Sequence, residues 1–496
     1  MRLTSILAFV VSSLLASSSA RTALAQPLGG GSLDAALATV SADEIRADIF
    51  FIASDELEGR DTISGGQRIA ARFIRSRLER LGVRPGGPGG GYFFEYPLYT
   101  QRLREKESYA RFDAGDTKVE LALGRDYYFS SGAPRDLELV GGIVFCGAGG
   151  KGELAKAQLE GKWALVLDDG GLVGDLERAL VDAKALGALM TPAANFRGKD
   201  YAEKFSRSLQ SFTRGSARWP TKDNEKTGSS APAFLYVQRG AVQRWLPELA
   251  AGDENLPAVG TQLAGSFAHK RVFQGDNGKV MAENVCGFWP GNDANLAREV
   301  IIISAHYDHV GYSGGTEIHN GADDNGSGTC GLLALAEALS VHGPLKRSVM
   351  LMWVSGEEKG LWGSKAWTEN PYLPEGHKAI CDINIDMIGR NAPDYLLITP
   401  TSKRAEYNGL VKIAEKVAPL EGFPTLGSCD AYWSRSDHAN FAQNLKIPVA
   451  FLFSDVHEDY HKPTDDPEKI DCDKIRRVVR TVMRMIDGLQ EAELKL

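Results

Sequence analysis

The sequence predicts an α/β protein built on a mixed, largely parallel sheet with helices on both faces, interrupted by a β-rich inserted domain. In the second half, four near-continuous apolar runs alternate with helical segments, which is typical of strands buried on both faces of a parallel sheet. These runs are 300–304, 349–355, 380–386 and 447–453. Between about residues 103 and 273, shorter β-like runs are separated by Gly, Asp and Lys turns, which predicts the insert.

Helical patterns begin near the amino terminus and end the chain. Ser41 and Glu44 have the spacing of a capping box, which predicts a helix that starts there. A second helix is predicted over 67–81 from its apolar positions, with Gly82 as its carboxyl cap. The last helix, 473–489, carries its aliphatic residues on one face and should pack on the sheet.

Composition limits the class of protein and its partners. A chain of 496 residues with 43% hydrophobic residues can bury a large core and should hold two or three domains. The formal net charge of -8 argues against a nucleic acid or an anionic membrane as partner. The six cysteines are scattered without a CxxC pair, so they allow one or two disulfides and predict no thiolate metal site. Most should be buried as small apolar residues.

Residues 1–25 have the pattern of a signal peptide. Arg2 precedes an apolar run over 6–15, and a small-x-small triplet ends at Ala25 before Gln26. The apolar run is shorter than the roughly 20 residues that a membrane span requires. The sequence therefore predicts an exported protein, periplasmic or extracellular, that has no membrane attachment after cleavage.

Acidic and imidazole side chains follow the predicted strands of the second half. Ligands of open α/β sheets bind outside the carboxyl ends of the strands, so these residues are candidates for a site. A dense group of buried carboxylates would repel itself unless cations neutralised it. Imidazoles and carboxylates without cysteine suit zinc in a catalytic site. The candidates are His306, Asp308, Asp323, Asp324, Glu357, Glu358, Asp386 and His461.

The motifs that contain these residues are HYDHVG, GADDNGSG, GEEKGLWGS, DMIGR, SDH and YH. Together they resemble the co-catalytic dizinc aminopeptidase family, which includes bacterial leucyl aminopeptidases and yeast aminopeptidase Y. The resemblance covers 300–466 strongly and 42–99 loosely. It implies a fold of the zinc exopeptidase type, two Zn²⁺ per chain and a peptide substrate.

The resemblance also implies a role for each matched residue. Asp324 would bridge the two metals. His306 and Asp386 would complete the site of one zinc, and Glu358 and His461 the site of the other.

Three further residues match positions next to the metals. Glu357 falls where the family has its general base, which takes a proton from a water shared by the two cations and passes it to the leaving amine. Asp308 matches a carboxylate that orients the imidazole of His306. Tyr460 matches a position that donates to the developing oxyanion.

Some neighbouring residues compete for these roles. Asp323 competes for the bridge, but the family spacing selects Asp324. His438 belongs to the SDH motif, where it should shape the substrate pocket. His457 could replace His461, although the YHKP ending favours His461. The histidines that are not expected to bind metal are His309, His319, His438 and His457.

The resemblance divides the chain into four parts. After the signal peptide, 26–102 is the N-terminal part of the peptidase domain and 274–496 is its dizinc catalytic part. The insert, 103–273, resembles a protease-associated domain through its strand entry at 141–144 and its GKWALVLDDGG run. Such domains carry no catalytic residues.

The expected activity is removal of amino-terminal residues from peptides, and three alternatives stay open. A carboxypeptidase or dipeptidase would need a cation such as Arg435 to grip the substrate carboxylate. A glutaminyl cyclase on the same fold is a second alternative, although the full dimetal set favours hydrolysis. The third is a catalytically inactive binding domain. The presence of Glu357 and of all five matched ligands argues against it.

Overall fold

The computed structural model describes residues 31–129, 136–171, 174–220, 232–313 and 317–491. The predicted signal peptide, 1–25, lies outside the described residues. Among the helices of the described part, none combines the length and the apolar character that crossing a membrane requires.

The α-helices of the described part are α1 (Leu33–Thr39), α2 (Ala42–Ile52), α3 (Gly65–Arg80), α4 (Lys151–Leu154), α5 (Gly174–Asp182), α6 (Tyr201–Arg214), α7 (Arg239–Val242), α8 (Gly328–Val341), α9 (Trp362–Glu369), α10 (Gly409–Val417), α11 (His438–Asn440) and α12 (Cys472–Gly488).

The strands form two large sheets and one short hairpin. In chain order they are β1 (Arg84–Pro85), β2 (Phe93–Leu103), β3 (Tyr109–Ala114), β4 (Thr117–Leu121), β5 (Tyr127–Phe129), β6 (Leu137–Phe145), β7 (Trp163–Asp168), β8 (Gly187–Pro192), β9 (Ser216–Arg218), β10 (Ala233–Val237), β11 (Gln262–Arg271), β12 (Phe273–Trp289), β13 (Glu299–His306), β14 (Tyr312–Ser313), β15 (Glu317–Ile318), β16 (Ser348–Val354), β17 (Lys378–Asp386), β18 (Leu396–Thr399), β19 (Leu426–Ser428) and β20 (Val449–Phe453).

The larger sheet is mixed, with a parallel centre. Its spatial order is β19-β18-β20-β17-β13-β16-β12-β2-β9, and β1 pairs with β12. The central strands β20, β17, β13 and β16 are parallel to one another. Antiparallel pairing begins on either side, at β12 and at β18. The predicted mixed α/β architecture is confirmed, with parallel pairing concentrated at the centre of the sheet.

The central strands are apolar on both faces because helices cover both faces. Ile301 and Ile303 of β13 belong to one buried cluster with side chains of α8 and α12. Ile302, which points the other way, packs in a second cluster with Trp367 of α9 and Phe441. Period-two alternation within a strand sends successive side chains to opposite layers, so a continuous apolar run fits this position.

The predicted helix boundaries near the amino terminus are close to those of the structure. Ser41 caps α2 by accepting a hydrogen bond from the Glu44 N–H. The helix predicted over 67–81 is α3, which begins two residues earlier because Ser64 accepts from the Gln67 N–H. Between α2 and α3 the chain passes against the end of β13.

The smaller sheet has eight strands in the order β4-β3-β11-β6-β7-β8-β10-β5, all within the predicted insert, 103–273. Strands β6, β7, β8 and β10 are parallel, and the others pair antiparallel. One strand of the predicted insert behaves differently, because β9 pairs with β2 at the edge of the larger sheet. The resemblance of the insert to a protease-associated domain stays a prediction.

All six cysteines are buried and free. The disulfides that the sequence allowed are therefore not formed in the structure. Cys330 and Cys381 illustrate the role that the sequence predicted for most of them, since both pack as small side chains in the main apolar cluster.

We expect Leu351→Ala in β16 to lower the free energy of unfolding by about 2–5 kcal/mol, because its fully buried side chain would leave a cavity. The matched control is Leu420→Ala, whose side chain is 65% exposed and which should change stability little. Chemical denaturation of both variants measures the difference. Equal effects would contradict the placement of β16 at the centre of the sheet.

Candidate metal centre

Three parallel strands bring their carboxyl ends to one edge of the larger sheet. His306 is the last residue of β13 and Asp386 the last of β17, while Glu357 and Glu358 follow the end of β16 closely. Because β17, β13 and β16 are neighbours in the sheet, these side chains meet as the sequence predicted.

His306 lies between two carboxylates. Its Nε2 is 3.2 Å from Asp386 Oδ1 and 3.4 Å from Asp324 Oδ1. Its Nδ1 lies 3.1 Å from the main-chain carbonyl oxygen of Asp308. A carbonyl oxygen only accepts hydrogen bonds, so it favours the proton on Nδ1 and leaves the Nε2 lone pair directed at the carboxylates. This arrangement suits a cation between the three groups.

Asp324 faces a second set of ligand atoms with its other oxygen. Its Oδ2 lies 3.0 Å from His461 Nε2, which is also 3.0 Å from Glu358 Oε2. The two oxygens of Asp324 therefore point at two different imidazoles, His306 and His461. This is the geometry expected of a carboxylate that bridges two cations.

The neighbouring carboxylate, Asp323, turns away from this centre. Its Oδ1 accepts a hydrogen bond from the Gly389 N–H at 2.7 Å, and its Oδ2 lies 3.3 Å from His457 Nε2. The N–H groups of Asp323 and Asp324 both donate to the carboxylate of Asp465, which fixes the turn. The two competitors considered from the sequence, Asp323 and His457, thus face each other and not the centre.

His309 lies in the centre, in contrast to the prediction from the motifs that it does not bind metal. Its Nδ1 is 2.9 Å from Glu358 Oε1 and 3.7 Å from Asp324 Oδ2, and its side chain is fully buried. The ligand atoms of His309, Asp324, Glu358 and His461 all lie within 4.8 Å of one another. The only sequence signal was its position in the loop that follows β13.

Asp308 acts differently from the expectation that its carboxylate orients His306. Its Oδ1 lies 3.8 Å from His306 Nδ1, which contacts the main-chain oxygen of Asp308 instead. The carboxylate accepts hydrogen bonds from the Glu357 N–H, at 3.2 Å, and from the Thr62 hydroxyl, at 2.9 Å. Asp308 therefore links the loop of Glu357 to the amino-terminal segment.

Sequence reasoning missed Arg60, whose side chain is completely buried beneath the centre. Its guanidinium donates to the main-chain oxygens of Ile52, Tyr307, Asn320 and Gly321 at 2.6–3.0 Å. It thereby joins α2, the end of β13 and the turn that leads to Asp324. From the sequence, an arginine in a loop is expected to be exposed to solvent. Its burial follows from hydrogen bonds to main-chain oxygens that are distant in the sequence.

A pocket opens beside the centre. Glu357 lies in its wall together with Asp324 and Asp386. His438 stacks on Phe451, which lines the pocket, with ring centroids 4.5 Å apart. The lining residues are Asp324, Glu357, Asp386, Met387, Tyr432, Arg435, Phe451, Phe453, Val456 and Tyr460.

The charges around the centre are dominated by carboxylates. Desolvation, followed by the neighbouring charges of Glu358 and Asp386, raises the pKa of Glu357 well above its ordinary value. Burial opposes the charged form of His461, yet Asp324 and Glu358 raise the pKa of this imidazole to about 10. Neighbouring carboxylates contribute to both shifts, because their negative charge raises the pKa of Glu357 and of His461 alike. Divalent cations would relieve this repulsion.

A protein-family model, "Peptidase family M28", matches residues 284–486, which include every predicted ligand. Residues 284–486 are therefore similar in sequence to the peptidases of that family. Two relatives are "Leupeptin-inactivating enzyme 1" of Streptomyces exfoliatus, 35% identical over 38% of this chain, and "Aminopeptidase YwaD" of Bacillus subtilis strain 168, 22% identical over 56% of it. The matches span 38% and 62% of those relatives.

Solved structures show the same fold over almost the whole chain. An aminopeptidase from Aneurinibacillus sp. strain AM-1 superposes with a TM-score of 0.56 at 18% identity, covering 92% of this chain and 95% of that one. BSAP, a zinc aminopeptidase from Bacillus subtilis, superposes with a TM-score of 0.56 at 17% identity, covering 90% and 95%. The fold is therefore shared beyond the segment that matches the family model.

We expect Arg60→Met to lower the free energy of unfolding by about 3 kcal/mol or more, because four buried main-chain oxygens would lose their donor. Arg68→Met is the matched control, since Arg68 is exposed and donates to a single main-chain oxygen. Urea unfolding of both variants provides the comparison. If both lose the same small amount, Arg60 does not join the segments as described.

Proposed function

We propose that the protein is an exported, zinc-dependent aminopeptidase that holds two zinc ions and uses Glu357 as general base. The observation that carries this proposal is the position of Asp324, whose two oxygens face His306 and His461 beside a pocket that Glu357 lines. The match of residues 284–486 to the family M28 model and the similarity to an aminopeptidase support a peptidase of this kind.

The donor set fits zinc. Each half of the centre offers imidazole nitrogens and carboxylate oxygens and no thiolate, which is the usual composition of a catalytic zinc site. BSAP, which shares the fold, is a zinc aminopeptidase. Zinc ions held there would polarise the scissile carbonyl and acidify the attacking water.

Glu357 is suited to move the proton. It lines the pocket, and its main-chain N–H is fixed by the carboxylate of Asp308. A carboxylate there can take a proton from the attacking water and deliver it to the leaving amine. Tyr460 also lines the pocket and stacks on His461 with ring centroids 3.9 Å apart, a position from which its hydroxyl can donate to the developing oxyanion.

The charge of the site favours a substrate with a free amino terminus. Five carboxylates lie around the centre, and their negative charges would exceed the four positive charges of two zinc ions. No positive charge would then remain to bind a terminal carboxylate of the substrate. The five are Asp308, Asp324, Glu357, Glu358 and Asp386. A substrate amine is accommodated more easily. The apolar wall, formed by Met387, Phe451, Phe453 and Val456, suits an apolar terminal side chain.

One observation favours a second candidate function. Arg435 lines the pocket, with its guanidinium 5.5 Å from the ring centroid of Tyr432. A guanidinium in this place could bind the carboxylate of a dipeptide or of a peptide carboxyl terminus. A dipeptidase or carboxypeptidase is therefore the alternative.

The proposed location is the periplasm or the medium. The signal-peptide pattern of residues 1–25 supports export, and the partner there would be a peptide.

We expect Glu357→Gln to keep two zinc ions per chain and to lose activity by a factor of about 10²–10⁴, as for loss of a general base. Glu358→Gln should instead bind less zinc, because its oxygen faces His461. Elemental analysis and kcat with a small peptide amide separate the two effects. Equal zinc content and equal loss of kcat in both variants would contradict the assigned roles.

Blocking each terminus of a good dipeptide substrate tests which end is recognised. Acetylation of the amine should abolish cleavage, and amidation of the carboxyl end should be tolerated. Arg435→Ala should then change KM little for the amidated substrate. Cleavage of N-acetyl dipeptides, together with a KM for free acids that rises in Arg435→Ala, would favour the carboxypeptidase.

A further inference from the structure

We propose that His309 is a fourth protein ligand at one of the two metal positions, so that the two positions are unequal. One is a closed position formed by His309, Asp324, Glu358 and His461. The other is an open position formed by His306, Asp324 and Asp386. This inference rests on the proposed function, because it concerns the same pair of metals.

Distances support His309 as a ligand. A tetrahedral zinc with ligand distances of about 2.0–2.2 Å separates its ligand atoms by about 3.3–3.6 Å. His309 Nδ1 lies 2.9 Å from Glu358 Oε1 and 3.7 Å from Asp324 Oδ2. His461 Nε2 lies 3.0 Å from oxygens of the same two carboxylates. These four contacts, at 2.9–3.7 Å, lie within a few tenths of an ångström of that spacing, and the four ligand atoms all lie within 4.8 Å of one another. Small movements of the side chains would bring them around one zinc.

The contact between His309 Nδ1 and Glu358 Oε1 is close, at 2.9 Å, but it lacks the geometry of a directed hydrogen bond. Neither ring nitrogen of His309 has a hydrogen-bond partner among the described residues, and Glu358 Oε1 has none either. Buried polar atoms are nearly always hydrogen-bonded or bound to a cation, because an unpaired one costs desolvation energy. An imidazole nitrogen and a carboxylate oxygen that converge without a shared proton are typical of two ligands of one metal.

The chain is shaped to hold this imidazole. Gly321 adopts φ +59°, and a Cβ there would lie 2.4 Å from His309 Cγ. The His309 N–H donates to the main-chain oxygen of Arg60 at 3.3 Å, which ties its backbone to the buried segment. A side chain at position 321 would displace the ring from the centre.

The lining of the pocket indicates that the two positions differ in role. Asp386, a residue of the open position, lines the pocket together with Glu357. Of the four residues of the closed position, Asp324 lines the pocket and is shared with the open position. Catalytic zinc sites have three protein ligands and leave a place for water or substrate, and closed sites have four. The open position thus faces the substrate, and the closed position holds Asp324 in place.

The test uses metal-free full-length protein and Zn²⁺ alone as the probe. Calorimetric titration of the wild type should show two binding events, of which the tighter fills the closed position. At one equivalent of Zn²⁺, X-ray absorption should detect two imidazoles per zinc. His309→Ala should weaken the tighter event at least about tenfold, whereas His306→Ala should keep it and weaken the other.

His319→Ala is the matched control, since His319 is a buried histidine near this loop whose ring is not part of the ligand cluster. It should leave both events unchanged. One imidazole per zinc at one equivalent would overturn the inference, and this measurement needs only the wild type if His309→Ala does not fold. Fewer than two bound zinc ions in the wild type would instead overturn the proposed dizinc function.

Discussion

The buried guanidinium of Arg60 joins the chain segments on which the metal centre depends. It donates to the main-chain oxygens of Tyr307, which follows His306, and of Asn320 and Gly321, which precede Asp324. A fourth contact reaches Ile52 in α2. Since each carbonyl is buried, losing any contact leaves an unsatisfied acceptor, and the segments keep one relative position. The amino-terminal helices are therefore part of the unit that holds the candidate metal centre.

The candidate ligands come both from the ends of strands and from a turn. His306 and Asp386 stand at the ends of neighbouring parallel strands, where the register of the sheet sets their separation. Asp324 lies in a turn whose N–H groups are held by Asp465. Two rigid strand ends and one pinned turn thus hold several carboxylates close together in a buried place. Cations make this arrangement electrostatically favourable.

The predicted insert contacts the region before Glu357 through a strand that joins the larger sheet. Strand β9 extends the larger sheet, and Trp219 after it packs near Trp362 and Tyr96, with ring centroids 6.4 and 6.1 Å apart. The Tyr96 hydroxyl donates to the main-chain oxygen of Ser355, two residues before Glu357. The insert supplies none of the predicted ligands, yet its strand supports the loop that carries the general base of the proposed reaction.

The sequence by itself determined the central strands and the helices on both faces, and it identified five residues that meet at one edge of the sheet, namely His306, Asp324, Glu358, Asp386 and His461. Buried parallel strands must be apolar throughout, and the polar residues at their ends then mark the site. Only the tertiary structure placed Arg60 and His309, and it assigned the carboxylate of Asp308 to the Glu357 N–H. Local pattern cannot distinguish a solvated loop residue from a buried one. That difference depends on which distant segments pack against it, and these contacts form only when the sheet assembles.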